Sequence, residues 1–327
     1  MKYSLPIRCR RNRRSESLRS LVRENKVSTD DFIMPLFVIE GENKKIEVKS
    51  MPRIYRFSLD NLKKECSELW SLGIKAVALF PAIDDSLKDK VATEAVNPGG
   101  LFQRAIKAVK EVTPEMLVIT DVAMDPYSSD GHDGYVENNE IVNDKTLPIL
   151  AAMAVSQAEA GADIIAPSDM MDGRVEVIRD ALDEAGYTDV GIMSYSVKYA
   201  SAYYGPFRDA LDSAPKAGDK KTYQMDPANV AEATREVELD ITEGADFVMV
   251  KPGLPYLDVV RAVSEISTVP VAVYNVSGEY AMLNAAAQNG WLEYEKTVKE
   301  SLLAFKRAGA DIILTYHAKE FAQWENS

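Results

Sequence analysis

The chain has 327 residues, 46 % apolar and 27 % charged, and a net charge of −13 from 38 basic and 51 acidic side chains. That balance argues against nucleic acid or an anionic membrane as a partner for the whole molecule, and no apolar run approaches the roughly 18 residues needed to span a bilayer. Cys9 and Cys66, the only cysteines, are far apart and in no metal or disulfide pattern, which predicts a reducing compartment and a cytoplasmic protein.

In chain order, the first feature is basic: Arg8, Arg10, Arg11, Arg13 and Arg14 fall within seven residues. A secretory or twin-arginine signal needs an apolar stretch next, and residues 15–31 supply none. A transit peptide is poor in acids, whereas Glu16, Glu24, Asp30 and Asp31 follow at once. Two readings stay open from these residues alone, an arm packed on an acidic neighbouring subunit or a solvated tail.

Beyond residue 30, short β-rich apolar runs recur at 32–38, 75–80, 116–122, 163–167, 190–195, 246–251, 270–275 and 311–316. Helical patterns separate them at 59–71, 101–112, 145–160, 174–185, 226–242, 256–266, 278–288 and 293–308. Gly161-Ala162-Asp163, Gly244-Ala245-Asp246 and Gly309-Ala310-Asp311 repeat one signal, a glycine that stops a helix just before a strand, and Gly73 resembles it. Eight alternating units in about 300 residues predict an α/β fold, a single (β/α)8 TIM barrel over 31–327, with an extended N-terminal arm over 1–30. A doubly wound open sheet would carry Gly-x-Gly-x-x-Gly after its first strand, and none is present.

Active sites of this barrel lie at the carboxyl ends of the strands, and those ends carry Asp121, Ser168-Asp169, Lys198, Lys251, Ser277 and Tyr316. Lys251 closes the apolar run 247–250 and is followed by Pro252-Gly253, as a buried parallel strand would end. Burial disfavours an ammonium and lowers its pKa, and a second cation nearby, Lys198, would lower it further. A lysine with an ordinary pKa is only about 0.04 % neutral at pH 7, and a drop of roughly three units would leave half of it nucleophilic. The competing reading is that each lysine snorkels to solvent.

Two polar insertions enlarge the same end. Residues 125–144 are too long for an ordinary βα loop. Residues 203–225, with Gly205, Pro206, Arg208, Pro215, Gly218, Lys220 and Lys221, predict a lid that closes over an anionic substrate; a solubilising surface loop is the alternative. His132 and His317, the only histidines, lack metal-ligand spacing and are read as ordinary polar or loop residues.

Four long motifs in register then resemble the porphobilinogen synthase (5-aminolevulinate dehydratase) family. They are Met193–Ser201 with Tyr204–Ala210, Met249–Asp258, Val273–Tyr280 and Gly309–Tyr316. The resemblance covers essentially the whole chain. It implies condensation of two 5-aminolevulinate molecules to porphobilinogen with loss of two waters, in tetrapyrrole synthesis. It also implies Schiff bases at Lys198 and Lys251, one substrate carboxylate on Ser277 and Tyr316, and the other on Arg208 and a cation at position 220. The family usually has arginine at that last position; Lys220 keeps the charge without the bidentate fork, and Lys221 could share the task.

Zinc-dependent members have three cysteines where this chain has Ala123, Asp125 and Asp133. Carboxylates suit magnesium or no firmly held ion, so no catalytic zinc is expected and the chain resembles the magnesium-type members. Asp125 and Asp133 either hold a hard cation loosely or bond through water. Asp121 either orients a lysine or accepts a proton, or is structural. The resemblance further implies an allosteric magnesium on Glu236 and a homo-octamer assembled through the N-terminal arm. The rival enzyme reading is a single-lysine, class I aldolase on the same barrel, which needs only one reactive lysine.

Overall fold

The computed structural model describes residues 5–211 and 216–326, so Pro215 of the expected lid lies outside the described residues. Eight parallel strands form the core: β1 (Phe32–Val38), β2 (Ala76–Pro81), β3 (Leu117–Val122), β4 (Ile164–Pro167), β5 (Gly191–Lys198), β6 (Phe247–Lys251), β7 (Val271–Asn275) and β8 (Ile312–Thr315). Each pairs with the next, and β8 returns to β1 through Phe32 opposite Ile313 and Ile33 opposite Leu314, which closes the barrel. Closure removes both sheet edges and buries the strands on two faces, hence their nearly continuous apolar sequences.

The helices α1 (Leu59–Ser71), α2 (Leu101–Val112), α3 (Asn143–Ala160), α4 (Arg174–Glu184), α5 (Ala231–Thr242) and α6 (Leu257–Ile266) occupy the connections up to β7. Two more, α7 (Ser277–Gln288) and α8 (Tyr294–Ala308), lie between β7 and β8. The chain ends in α9 (Ala318–Glu325), which the sequence reading did not include. Ala318, Phe321 and Ala322 bury its inner face, and the Phe321 ring meets Phe32 edge-on at 5.0 Å. Its apolar pattern covers barely two turns, too short for periodicity to separate it from a loop. The start of α5 also differs, at Ala231 rather than 226, because residues 226–230 form turns ahead of the helix. No helix among the described residues is long and apolar enough to cross a membrane.

The three Gly-Ala-Asp repeats have one structural meaning. Gly161, Gly244 and Gly309 adopt φ of +107°, +105° and +112°, where a side chain would be strained. Each following aspartate then grips the preceding strand. Its N–H donates to the carbonyl of Val118, Ile192 or Val271, and its carboxylate accepts the N–H of that same residue at 2.7, 2.8 and 2.9 Å. The aspartates thus anchor β4, β6 and β8 at the end opposite the strand-end lysines.

In the arm, Cys9–Arg13 forms a 3-10 turn and Glu16–Leu21 a short helix with no buried residue. Arg8, Arg10, Arg11, Arg13 and Arg14 are exposed, as are the apolar Leu5, Ile7, Leu21 and Val22. The junction with the barrel is ionic, through Asp30 to Lys75 and Asp31 to Lys306.

Candidate active site

Lys198 and Lys251 end neighbouring strands and sit opposite one another in the β5–β6 ladder. A register shift produces that alignment: Val248 faces Ser194, but Val250 faces Val197, so β5 holds one extra residue. Without this bulge Lys251 would face Val197, and the two amines would lie on opposite faces of the sheet. The sequence reading ended this strand at residue 195; the bulge carries it on to Lys198 itself.

The two lysines have different surroundings. Lys251 is 7 % exposed, and its Nζ lies 4.9, 5.3, 5.2 and 4.7 Å from the ring centres of Tyr195, Tyr204, Phe207 and Tyr274. Burial, then the charge of Lys198, brings its pKa down to about 7. Lys198 is equally buried but ion-paired: its Nζ lies 3.3 Å from Asp133 and donates to the Ser168 carbonyl. The expected depression is found at Lys251, and the Lys198 side chain beside it is held in place by a carboxylate.

Asp133 also meets Lys220 at 2.5 Å, and Lys220 reaches Asp125 at 3.2 Å. Burial raises the Asp133 carboxyl, but Lys198 and Lys220 outweigh it and hold the group well below the usual carboxylate range. Burial raises Asp125, with Lys220 opposing. Burial, then the charge of Asp125, pushes Asp121 up to about 6. Asp125, Lys220, Asp133 and Lys198 thus alternate in charge, with Asp121 and Lys251 beside them. Lys221, the other candidate at this place, is exposed and pairs with Asp219.

In the segment expected to be a lid, the described residues 203–211 and 216–225 are more structured than a loop. Ala202–Tyr204 forms a 3-10 turn and Gly205–Leu211 a helix that carries Phe207 against Lys251 and a half-buried Arg208. Residues 216–225 are fastened by His132, a role that sequence reading missed. Its Nε2–H donates to the Ala217 carbonyl at 2.9 Å, which leaves Nδ1 to accept from the Tyr223 hydroxyl at 3.1 Å. The Tyr223 oxygen in turn accepts the Asp133 N–H at 3.4 Å. No spacing signal links residues so distant in sequence. The first insertion, 125–144, includes a small hairpin of Val136–Glu137 and Glu140–Ile141.

On the opposite wall, Ser277 opens α7; its hydroxyl accepts the Phe207 N–H at 3.0 Å and donates to the Tyr203 carbonyl at 3.5 Å. Tyr316 stands 3.1 Å from Tyr274, hydroxyl to hydroxyl, and both are buried. Beneath them Glu279 accepts the N–H groups of Leu254 and Val276, tying the turn after Lys251 to the residue before Ser277.

Glu236 lies apart on α5. It lines a cavity with Asp172, Glu232, Asp240 and Arg174, where burial raises its pKa while Arg174 opposes. Behind it the buried Arg174 reaches Asp240 at 3.3 Å and donates to Ser194.

A family model described as Delta-aminolevulinic acid dehydratase matches residues 6–324. The chain belongs to that family. It is 56 % identical over 320 residues to the delta-aminolevulinic acid dehydratase of Bradyrhizobium diazoefficiens, covering 98 % of this chain and 91 % of the relative. The Bacillus subtilis dehydratase is 52 % identical, with 97 % of each chain covered. Among solved structures, a Toxoplasma gondii delta-aminolevulinic acid dehydratase in complex with the reaction product porphobilinogen superposes with a TM-score of 0.96. It is 54 % identical, over 98 % of this chain and 92 % of the other.

The positions expected to hold zinc cysteines carry no thiolate set. Ala123, Asp125 and Asp133 offer no thiolate, and Lys220 already holds both carboxylates. Among the described residues no three histidine, cysteine, aspartate or glutamate side chains converge as a metal cage.

Proposed function

We propose that this chain, as a lyase of the delta-aminolevulinic acid dehydratase family, joins two 5-aminolevulinate molecules into porphobilinogen through Schiff bases at Lys251 and Lys198. One observation carries the reading: two buried lysines lie in register, and one of them has a pKa near the pH of the cell. The neutral amine of Lys251 adds to a substrate ketone and expels water. The resulting iminium acidifies the adjacent carbon, so that a carbon–carbon bond can form to the second substrate. That substrate is held as an imine on Lys198, formed with loss of the second water. Asp121 rather than the strongly acidic Asp133 is the carboxylate suited to take up a proton. Carbon–carbon bond formation and attack by a substrate amine then displace the two lysine amines. Two substrates yield one pyrrole and two waters, and both lysines are regenerated.

Ser277 and Tyr316 take one carboxylate as neutral donors, and Arg208 takes the other from the lid helix. Lys220 uses two of its three N–H donors on Asp125 and Asp133 and has one left for that second carboxylate. Asp121, at about 6, has a pKa close enough to that of Lys251 to exchange a proton with it. No catalytic zinc takes part. Glu236 would hold a magnesium ion that favours assembly and supplies no step of the reaction.

Residues 1–30 act as an oligomerisation arm, and the assembly is a homo-octamer. The uncovered Leu5, Ile7, Leu21 and Val22 support that reading, since together with the arginines they form a mixed apolar and basic strip without a cover in the single chain. The test of the function is incubation of the purified protein and 5-aminolevulinate with magnesium supplied, scored for pyrrole by colour reaction. Wild-type protein makes the pyrrole and Lys251→Ala does not; no pyrrole from either rejects the reading. A class I aldolase would instead keep its activity when Lys198 is removed.

A further inference from the structure

We propose that Lys220 is the resident cation of this active site, a lid-borne ammonium that occupies the place between Asp125 and Asp133 where a divalent ion would otherwise bind. Its Nζ lies 2.5 Å from Asp133 and 3.2 Å from Asp125, and the residue is only 8 % exposed. Asp133 is fully buried and meets Lys198 through its second oxygen, so the four groups form an alternating row. Buried carboxylates of this kind persist only when paired. Removing the Lys220 ammonium would leave Asp125 and Asp133 facing one vacated position, with Asp121 nearby and one ammonium, Lys198, to balance them. Hard oxygen donors around such a position suit magnesium or manganese.

A lysine differs from an ion in what it ties together. Lys220 belongs to residues 216–225, which His132 fastens at Ala217 and Tyr223 fastens at Asp133. Charge balance in the chamber is therefore completed by a side chain of residues 216–225 and not by an ion. The remaining N–H of Lys220 is placed to meet a substrate carboxylate. This deepens the proposed condensation, because the second substrate's carboxylate and the protein's two aspartates share one cation.

Isothermal calorimetry with manganese chloride on the assembled protein tests the assignment, and it reads binding rather than activity. Lys220→Ala is expected to take up one more manganese per chain than wild type, and Lys220→Ala combined with Asp125→Asn is expected to lose that extra ion. Pyrrole formation by Lys220→Ala should fall at least tenfold and recover in part with manganese. Lys220→Arg keeps the charge, so it should show wild-type stoichiometry and turnover that added manganese does not raise. The proposal is overturned if Lys220→Ala binds no additional manganese, if the extra ion survives Asp125→Asn, or if Lys220→Arg turns over only with metal added. Should even wild type form no pyrrole, the condensation fails, while the manganese count still decides the role of Lys220.

Discussion

Replacing Lys198 by methionine keeps an apolar stem of similar length and deletes the charge next to Lys251. The Lys251 amine stands at about 7 against an ordinary 10.5, with burial the larger cause and Lys198 the next. That shift corresponds to about 5 kcal/mol against the ammonium, and raises the neutral fraction at pH 7 from about 0.03 % to about half. Without the Lys198 charge, the Asp133 carboxylate also loses a partner, and both changes favour protonation of Lys251. A rise of one unit would lower the neutral fraction at pH 7 roughly fivefold, and a rise of two roughly fiftyfold. The assay is the pH dependence of borohydride trapping of a keto acid on Lys251, followed by mass spectrometry of the modified peptide. Wild type is expected to titrate near 7 and Lys198→Met at a distinctly higher pH. A wild-type midpoint near 10, or one that Lys198→Met leaves unmoved, would refute the reasoning.

Lys251 also makes a stability prediction. Its folded pKa lies below its unfolded one, so between about pH 7 and 10.5 the unfolded chain binds more protons and stability rises with pH. The penalty is fully present below 7, and Lys251→Met removes it; melting at pH 7 should show up to about 4 kcal/mol of stabilisation, shrinking towards pH 10. Tyr316→Phe deletes one donor to a carboxylate, worth about 1.5–3 kcal/mol, so KM for 5-aminolevulinate should rise roughly tenfold to a hundredfold while trapping on Lys251 persists. Glu236→Ala should abolish any effect of magnesium on assembly size, measured by sizing with and without chelator, whereas a magnesium response that survives the change would remove Glu236 from that role.

The barrel was legible because its punctuation is chemical. Each Gly-Ala-Asp combines a left-handed helix stop with a carboxylate that grips the previous strand, and both needs show in residue type. Strand-end lysines were legible for a similar reason, since burial of an amine is costly wherever it occurs. Their alignment was not: the bulge in β5 depends on how two strands pair, and neither strand alone encodes it. The fastening of residues 216–225 by His132 and Tyr223, 91 residues apart, was equally hidden. So was the choice of Lys220 over Lys221, which turns on a single step along a loop and only appears once Asp125 and Asp133 are in position.

Quenching the enzyme with borohydride during turnover of 5-aminolevulinate, then mapping the adducts, tests the two-lysine mechanism most directly. The account predicts substrate-derived mass on both Lys251 and Lys198, with pyrrole in the supernatant before the quench. Adducts confined to one lysine while pyrrole still forms would contradict it.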